Sequence, residues 1–240
     1  MTPEQLTEQL KETLGERLTS VILYGSAAAG DHAGKKSDFN VLVVLDRISM
    51  EELKVLRPTA VRWRKAGNPP PLLFTMERLQ QSADVFPIEL LDIRECHRVL
   101  YGEDATATLE LNNENLRVEL EHELKGKLIQ LRENYLVTEG RNRRVTDLMV
   151  ESLSTFLVLF RAALRLYQED VPQRKAEALH ALAQHITFDA RVFETIRGLK
   201  EGTTKPRDVD AETLFAQYLQ TVESVVDAVD TFIKKGKEDT

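Results

Sequence analysis

Two short polar segments near the N-terminus carry residue types that could hold a phosphate group and a cation. The first is Gly25-Ser26, which ends the apolar run at residues 21–24 and is followed by small residues. Glycine lets backbone N–H groups approach an anion closely, a helix start adds a positive dipole end, and the serine hydroxyl adds a donor. The pattern predicts a triphosphate cradle, although a Gly-Ser pair after a strand is also typical of an ordinary tight turn.

The second segment is Asp38-Phe39-Asn40, which enters the apolar run at residues 39–45 and begins 12 residues after Ser26. Alternate residues of a strand project from one face, so Asp38 and Asn40 would lie together beside the Gly-Ser turn. Mg²⁺ prefers oxygen ligands that it shares with substrate phosphates. The pair therefore predicts a Mg²⁺ site for a nucleoside triphosphate, and the alternative is a polar cap at a strand entrance.

A third candidate group consists of Glu89 and Asp92, which stand in the apolar run at residues 86–93. Carboxylates among aliphatic side chains are costly unless they meet a metal, a cation or hydrogen-bond donors. If the run is a strand, the two residues have opposite parity and only one can face the site. A salt bridge with Arg94 or Arg98 is the alternative.

A sheet would bring these candidates together, and the first 105 residues supply the patterns for one. A first helix begins at Thr2-Pro3. A second helix begins at Ser49 with a capping-box pattern and should be broken or kinked at Pro58. A short third helix covers residues 76–83. Apolar runs predict strands at residues 21–24, 39–45, 72–75 and 86–93. The order indicates one short mixed sheet with flanking helices.

The chain changes character near residue 105, after which nearly every segment has helical periodicity. Helices are predicted at residues 115–138, 148–167, 173–185, 189–199 and 210–234. Short connections between them are typical of an antiparallel bundle. The predicted fold class is α+β, with domains at residues 1–105 and 106–240.

Bulk properties exclude several classes of protein. A net charge of −7 makes nucleic acid an unlikely partner, because proteins that grip its backbone concentrate positive charge. Cys96 is the single cysteine, and the sequence has no cluster of Cys and His with zinc spacing. No stretch of 18 apolar residues exists, and the polar N-terminus is unlike a signal peptide, which predicts a cytoplasmic protein without a membrane partner.

The combination of Gly-Ser, a small-residue turn and Ser-Asp-x-Asn at the start of an apolar strand resembles the DNA polymerase β-like nucleotidyltransferase superfamily over residues 20–95. This superfamily includes the aminoglycoside and the minimal bacterial nucleotidyltransferases. The resemblance implies that Gly25 and Ser26 hold phosphates and that Asp38 and Asn40 hold Mg²⁺. It also implies a third carboxylate, which helps to position the metal or activates the acceptor hydroxyl. Glu89 is the first choice for this carboxylate and Asp92 is the second. The helical half resembles the bundles of antibiotic-modifying members.

Two residues depart from the pattern of that superfamily. Asn40 stands where the second aspartate is usual, and Ala29 stands where an arginine is usual, so Lys36 (or Lys35) is the cation left to meet phosphate. An amide oxygen can ligate Mg²⁺ but brings no charge to offset it. Two functions are therefore predicted. The first is transfer of a nucleoside monophosphate from an NTP, most simply ATP, to a hydroxyl group of an unidentified small molecule or protein. The second is binding of a nucleotide or a protein partner without transfer. The oligomeric state stays open, with a homodimer as one option.

A third hypothesis concerns the helical half, which could be a HEPN-type ribonuclease. Such an enzyme needs an Arg and a His about one helical turn apart or slightly more, and Arg174 and His180 fall in that range. The alternative is an exposed helix with no role in catalysis.

Overall fold

The computed structural model describes residues 1–28 and 38–236. The chain divides into two compact units, of which the first is Met1–Asn112 and the second begins at Asn113. The sequence places the division at residue 105, but Ala105 and Leu109 pack into a core of the first unit. Within the described part of the chain, no helix is long and apolar enough to cross a bilayer.

The first unit begins with helix α1, Pro3–Leu14. Thr2 and Gln5 form a reciprocal capping box, in which Gln5 N–H donates to Thr2 Oγ1 at 3.2 Å and Thr2 N–H donates to Gln5 Oε1 at 3.0 Å. The apolar face of α1 is buried against the sheet and consists of Leu6, Leu10 and Leu14.

Four strands form one mixed sheet: β1 Leu18–Tyr24, β2 Asn40–Leu45, β3 Leu72–Thr75 and β4 His97–Gly102. Their order is β3-β2-β1-β4, with β2 and β4 antiparallel to β1 and with β3 parallel to β2. One face of the sheet packs on α1 and on α2, Met50–Lys65. The other face packs on α3, Met76–Gln81, and α4, Pro87–Glu95. The sheet is therefore covered on both faces, as its continuous apolar runs predict.

The predicted strand at residues 86–93 is wrong, because this segment is helix α4 and the fourth strand follows it. Pro87 occupies the first turn of the helix, where its missing N–H costs nothing. Pairs of apolar residues, Ile88 with Leu91 and Leu90 with Ile93, are buried at helical spacing, whereas Glu89 is exposed. A short apolar run is compatible with a strand and with a short helix, so the spacing of its apolar residues does not discriminate between the two.

Helix α2 runs through Pro58, so of the predicted break or kink at this residue the break is wrong. Proline removes the hydrogen bond to the carbonyl four residues earlier, which belongs to Lys54. Lys54 and Pro58 are both exposed, so water can meet the freed carbonyl group.

The second unit is helical, as predicted. Its helices are α5 Asn113–Leu136, α6 Asn142–Leu164, α7 Lys175–Leu182, α8 Arg191–Glu201 and α9 Ala211–Gly236. An aromatic cluster fills its interior, with ring centroids 5.7 Å apart for Phe156 and Tyr218 and 5.2 Å apart for Phe160 and Phe193. The predicted α+β class with a helical second half is confirmed.

Candidate functional site

The candidate site begins where β1 ends and the chain turns at Gly25. This residue has φ +78°, a conformation that favours glycine. Its N–H donates to Cys96 O at 3.1 Å, and the Cys96 thiol donates to Gly25 O at 3.4 Å. The carboxyl end of α4 therefore clamps the turn through both backbone groups of Gly25.

Space at this turn is limited as well. A Cβ atom on Gly25 would lie 3.3 Å from Asn40 Nδ2, which is closer than most such contacts. The Asn40 carboxamide thus packs directly on the turn, as the sequence predicts for residues 25 and 40. The described structure covers the Ser26 backbone but not its side chain, and it does not cover Lys36.

Three polar side chains form a row across the sheet beside the turn. Asn40 of β2 is the cross-strand partner of Tyr24 of β1, which in turn is the partner of His97 of β4. Partners in antiparallel strands project from the same face. Tyr24 packs with the core that α4 covers, so the row faces α4.

Burial, together with the charge of Glu89, raises the pKa of Tyr24 to about 12. The phenol therefore stays protonated at neutral pH and keeps its donor. The effect of the Glu89 charge on this pKa indicates that Glu89 lies near Tyr24. Glu89 therefore approaches the row from helix α4 and not from the strand that the sequence predicts. Tyr24 is the last residue of the apolar run at residues 21–24, and the sequence predicts no functional role for it.

Asp38 lies two residues before Asn40 and is exposed. The chain between them is held by Asn68, whose Oδ1 accepts from Phe39 N–H at 3.0 Å. Asn68 itself is buried and donates to Trp63 O at 3.5 Å. The entrance of β2 is therefore anchored by an amide, and the Asp38 carboxylate is left at the surface.

Glu89 and Asp92 lie three residues apart on α4, so they share a face of the helix instead of opposing each other. The two arginines considered as salt-bridge partners of these carboxylates bind other groups. Arg98 donates to Glu4 at 2.8 Å, and Arg94 donates to Leu109 O at 3.4 Å. Glu89 is thus available to the site through its proximity to Tyr24.

The row ends at His97, for which the sequence predicts no role. His97 Nε2 lies 3.1 Å from Asp104 Oδ2, and His97 Nδ1 lies 3.0 Å from Arg94 O. Burial alone would raise the pKa of Asp104, but hydrogen bonds from Thr106 and the nearby His97 lower it below its usual value. Both ring nitrogens are engaged, so His97 orders the end of β4 and has no nitrogen free for proton transfer.

The residues at the start of β2 do not fit a centre of two Mg²⁺ ions. Across residues 1–28 and 38–236, no group of three or more His, Cys, Asp and Glu side chains could hold a metal ion. Asp38 brings one carboxylate and Asn40 a neutral amide. On the other side of β2, the residues that precede β3 are prolines, which carry no ligating group. Glu89 approaches Tyr24 from a helix, and the metal roles of Asp38, Asn40 and Glu89 stay predictions.

The residues considered for a ribonuclease site are engaged with carboxylates. Arg174 Nη1 lies 3.5 Å from Glu177 Oε1, and His180 Nε2 lies 2.9 Å from Glu194 Oε1. Both side chains are largely exposed. This arrangement favours the alternative, an exposed helix surface.

Comparisons with known proteins give a likeness in structure and none in sequence. No family model and no curated protein matches the chain. A solved structure of spectinomycin adenyltransferase AAD(9) from Enterococcus faecialis, determined with ATP and spectinomycin, is similar to it with a TM-score of 0.50 and 13% identity. The match covers 96% of this chain and 98% of that one. At this identity the likeness shows the fold, so the protein has a nucleotidyltransferase-like fold followed by a helical region.

Proposed function

We propose that this protein binds a nucleoside triphosphate, with ATP as the first candidate, at the Gly25 turn and the adjoining start of β2. The observation that carries the proposal is the approach of the Asn40 carboxamide to a left-handed Gly25, where an added side chain would be strained and tightly placed. A backbone exposed in this way can approach phosphate oxygens closely. The adenyltransferase of similar fold was determined with ATP, which supports the choice of nucleotide.

The residues at the turn and at the start of β2 have different roles in nucleotide binding. Gly25 and Ser26 approach the phosphates through the backbone, and Asn40 contacts the nucleotide through its carboxamide. Asp38 lies at the surface beside them, and Lys36 stays a prediction because it lies outside the described residues. A cytoplasmic location, the absence of nucleic-acid partners and a homodimer also stay predictions.

A second candidate function is transfer of the nucleoside monophosphate to a hydroxyl acceptor, and the position of Glu89 favours it. In this reaction an acceptor oxygen attacks the α-phosphorus, the bond to the bridging oxygen breaks, and pyrophosphate leaves. Glu89, near Tyr24 and outside the core, is the carboxylate that takes the acceptor proton. The adenyltransferase of similar fold was determined with spectinomycin, so hydroxylated small molecules are the first acceptors to test.

Substitution of Gly25 by alanine tests nucleotide binding. We expect Gly25→Ala to weaken ATP binding, because the methyl group presses on the Asn40 carboxamide, and to lower the free energy of unfolding by about 1 kcal/mol through left-handed strain. Isothermal titration calorimetry and urea unfolding measure the two effects.

The matched control is Gly202→Ala at the end of α8. Gly202 has φ +76°, and an added Cβ would meet nothing within 4 Å. This variant should show similar strain and unchanged ATP binding. Equal ATP binding by the Gly25 and Gly202 variants would refute the placement of the nucleotide.

Substitution of Glu89 by glutamine tests the transfer reaction. Pyrophosphate release from ATP, measured with Mg²⁺ in the buffer and a panel of hydroxylated acceptors, should fall by about a hundredfold in Glu89→Gln if the carboxylate takes the proton. Glu77→Gln on α3 is the control, because Glu77 is also an exposed glutamate beside this face of the sheet. Absence of release from the unmodified protein with every acceptor would eliminate transfer and leave nucleotide binding.

A further inference from the structure

The start of β2 combines a close contact with an unengaged donor. Asn40 Nδ2 approaches the Gly25 backbone, and no hydrogen-bond partner for the Asn40 carboxamide is found among the residues that the structure describes. The side chain is half-buried, so it is ordered by its neighbours and still reaches solvent. An amide in this position can donate a hydrogen bond to a ligand that lies on the turn.

The groups that surround Asn40 within the sheet are neutral. Its cross-strand partner is Tyr24, a phenol that carries no charge at neutral pH. On the opposite side, Asn68 holds the Phe39 backbone through its amide oxygen. Asp38 is exposed and lies outside the strand, and Glu89 lies near Tyr24 on the side of α4.

This chemistry has a consequence for a triphosphate. Carboxylates beside a triphosphate repel it unless a divalent cation lies between them, because like charges at close range are unfavourable. A carboxamide has the opposite effect, since it donates to a phosphate oxygen directly. The neutral donors of Asn40 and Tyr24 therefore weaken the electrostatic need for a bridging cation.

We infer that the nucleotide site is a cation-independent triphosphate site, in which the Asn40 carboxamide donates to a phosphate oxygen and no divalent metal is required for binding. The inference rests on the proposed nucleotide binding at Gly25. It deepens that proposal by naming the ligand as the metal-free nucleoside triphosphate.

The test is calorimetric titration of the full chain with ATP, in EDTA and in excess Mg²⁺. The unmodified protein should bind ATP with similar affinity in both buffers. Asn40→Asp places a charge on the turn, so its affinity in EDTA should fall by roughly tenfold, or 1.4 kcal/mol, and should recover when Mg²⁺ is added. Asn40→Leu removes the donor without adding charge, and its affinity should fall in both buffers alike.

The control for added charge is Asn134→Asp, on the exposed face of α5, which should behave as the unmodified protein. Circular dichroism of each variant checks that it is folded. Binding of ATP by the unmodified protein only with Mg²⁺ would overturn the inference and leave the proposed function intact. Unchanged affinity of Asn40→Leu would also overturn it, and no ATP binding in either buffer would overturn both.

Discussion

The two ends of β2 use polar residues in opposite ways. Beyond Leu45, Glu52 is fully buried, and its carboxylate accepts from the Ser49 hydroxyl at 2.5 Å and the Ser49 N–H at 3.0 Å. Arg17 and Arg47 each donate to its other oxygen at 3.2 Å. At the Asn40 end, Asp38 is exposed and the Asn40 carboxamide is half-buried against Gly25.

The difference separates a polar group that serves the fold from one that is available to a ligand. Donors from Ser49, Arg17 and Arg47 converge on the Glu52 carboxylate, which ties the start of α2 to the turn before β1. The hydrogen-bonding capacity of the Glu52 carboxylate is used within the protein, so this carboxylate is not available to a ligand. The Asn40 end has polar groups that are not engaged in this way, and their hydrogen-bonding capacity is open to solvent or to a bound molecule.

The largest effect on stability is expected from Glu52→Gln. Removing one partner from a buried, paired charge leaves the other partners uncompensated, so the free energy of unfolding should fall more than in any other variant considered. Urea denaturation measures the change. Glu51→Gln is the control, because the neighbouring Glu51 side chain is 69% exposed and should contribute little.

The acid dependence of stability identifies the same carboxylate. The Ser49 hydroxyl, the nearby backbone N–H groups and Arg47 lower the pKa of Glu52 from 4.5 to about 2. Because the folded pKa is below the unfolded one, this contribution to stability is complete above about pH 4.5 and is lost as the pH falls toward 2. The difference in stability between the unmodified protein and Glu52→Gln should narrow over that range, and a constant difference would show that the carboxylate is not its source.

The smallest effect on stability is expected at the opposite end of β2, from Asp38→Asn. An exposed residue outside the packed structure should change the free energy of unfolding by no more than about 0.5 kcal/mol. ATP affinity in EDTA should rise slightly, because one like charge beside the triphosphate is removed. A loss of stability as large as that of Glu52→Gln would show that both ends of β2 serve the fold, and the contrast between them would fail.

Local signals in the sequence predicted the elements that local chemistry controls. The capping boxes at Thr2 and Ser49 set the starts of α1 and α2, because each cap is satisfied within its own turn. The Gly25 turn and the strand that begins at Asn40 were also predicted. Residues 86–93 were not, because a run of apolar residues with two carboxylates satisfies both a strand and a short helix.

The sequence by itself determined an α+β protein with a helical second half and a polar turn at Gly25 opposite Asn40, since these depend on apolar periodicity and residue type. Only the tertiary structure decided which groups gather at that turn. Strand register placed Tyr24 between Asn40 and His97, and α4 with the residue after it brought Glu89 and Cys96 from a distant part of the chain. Contacts between residues so far apart depend on how the elements pack against one another, and no local pattern encodes that packing.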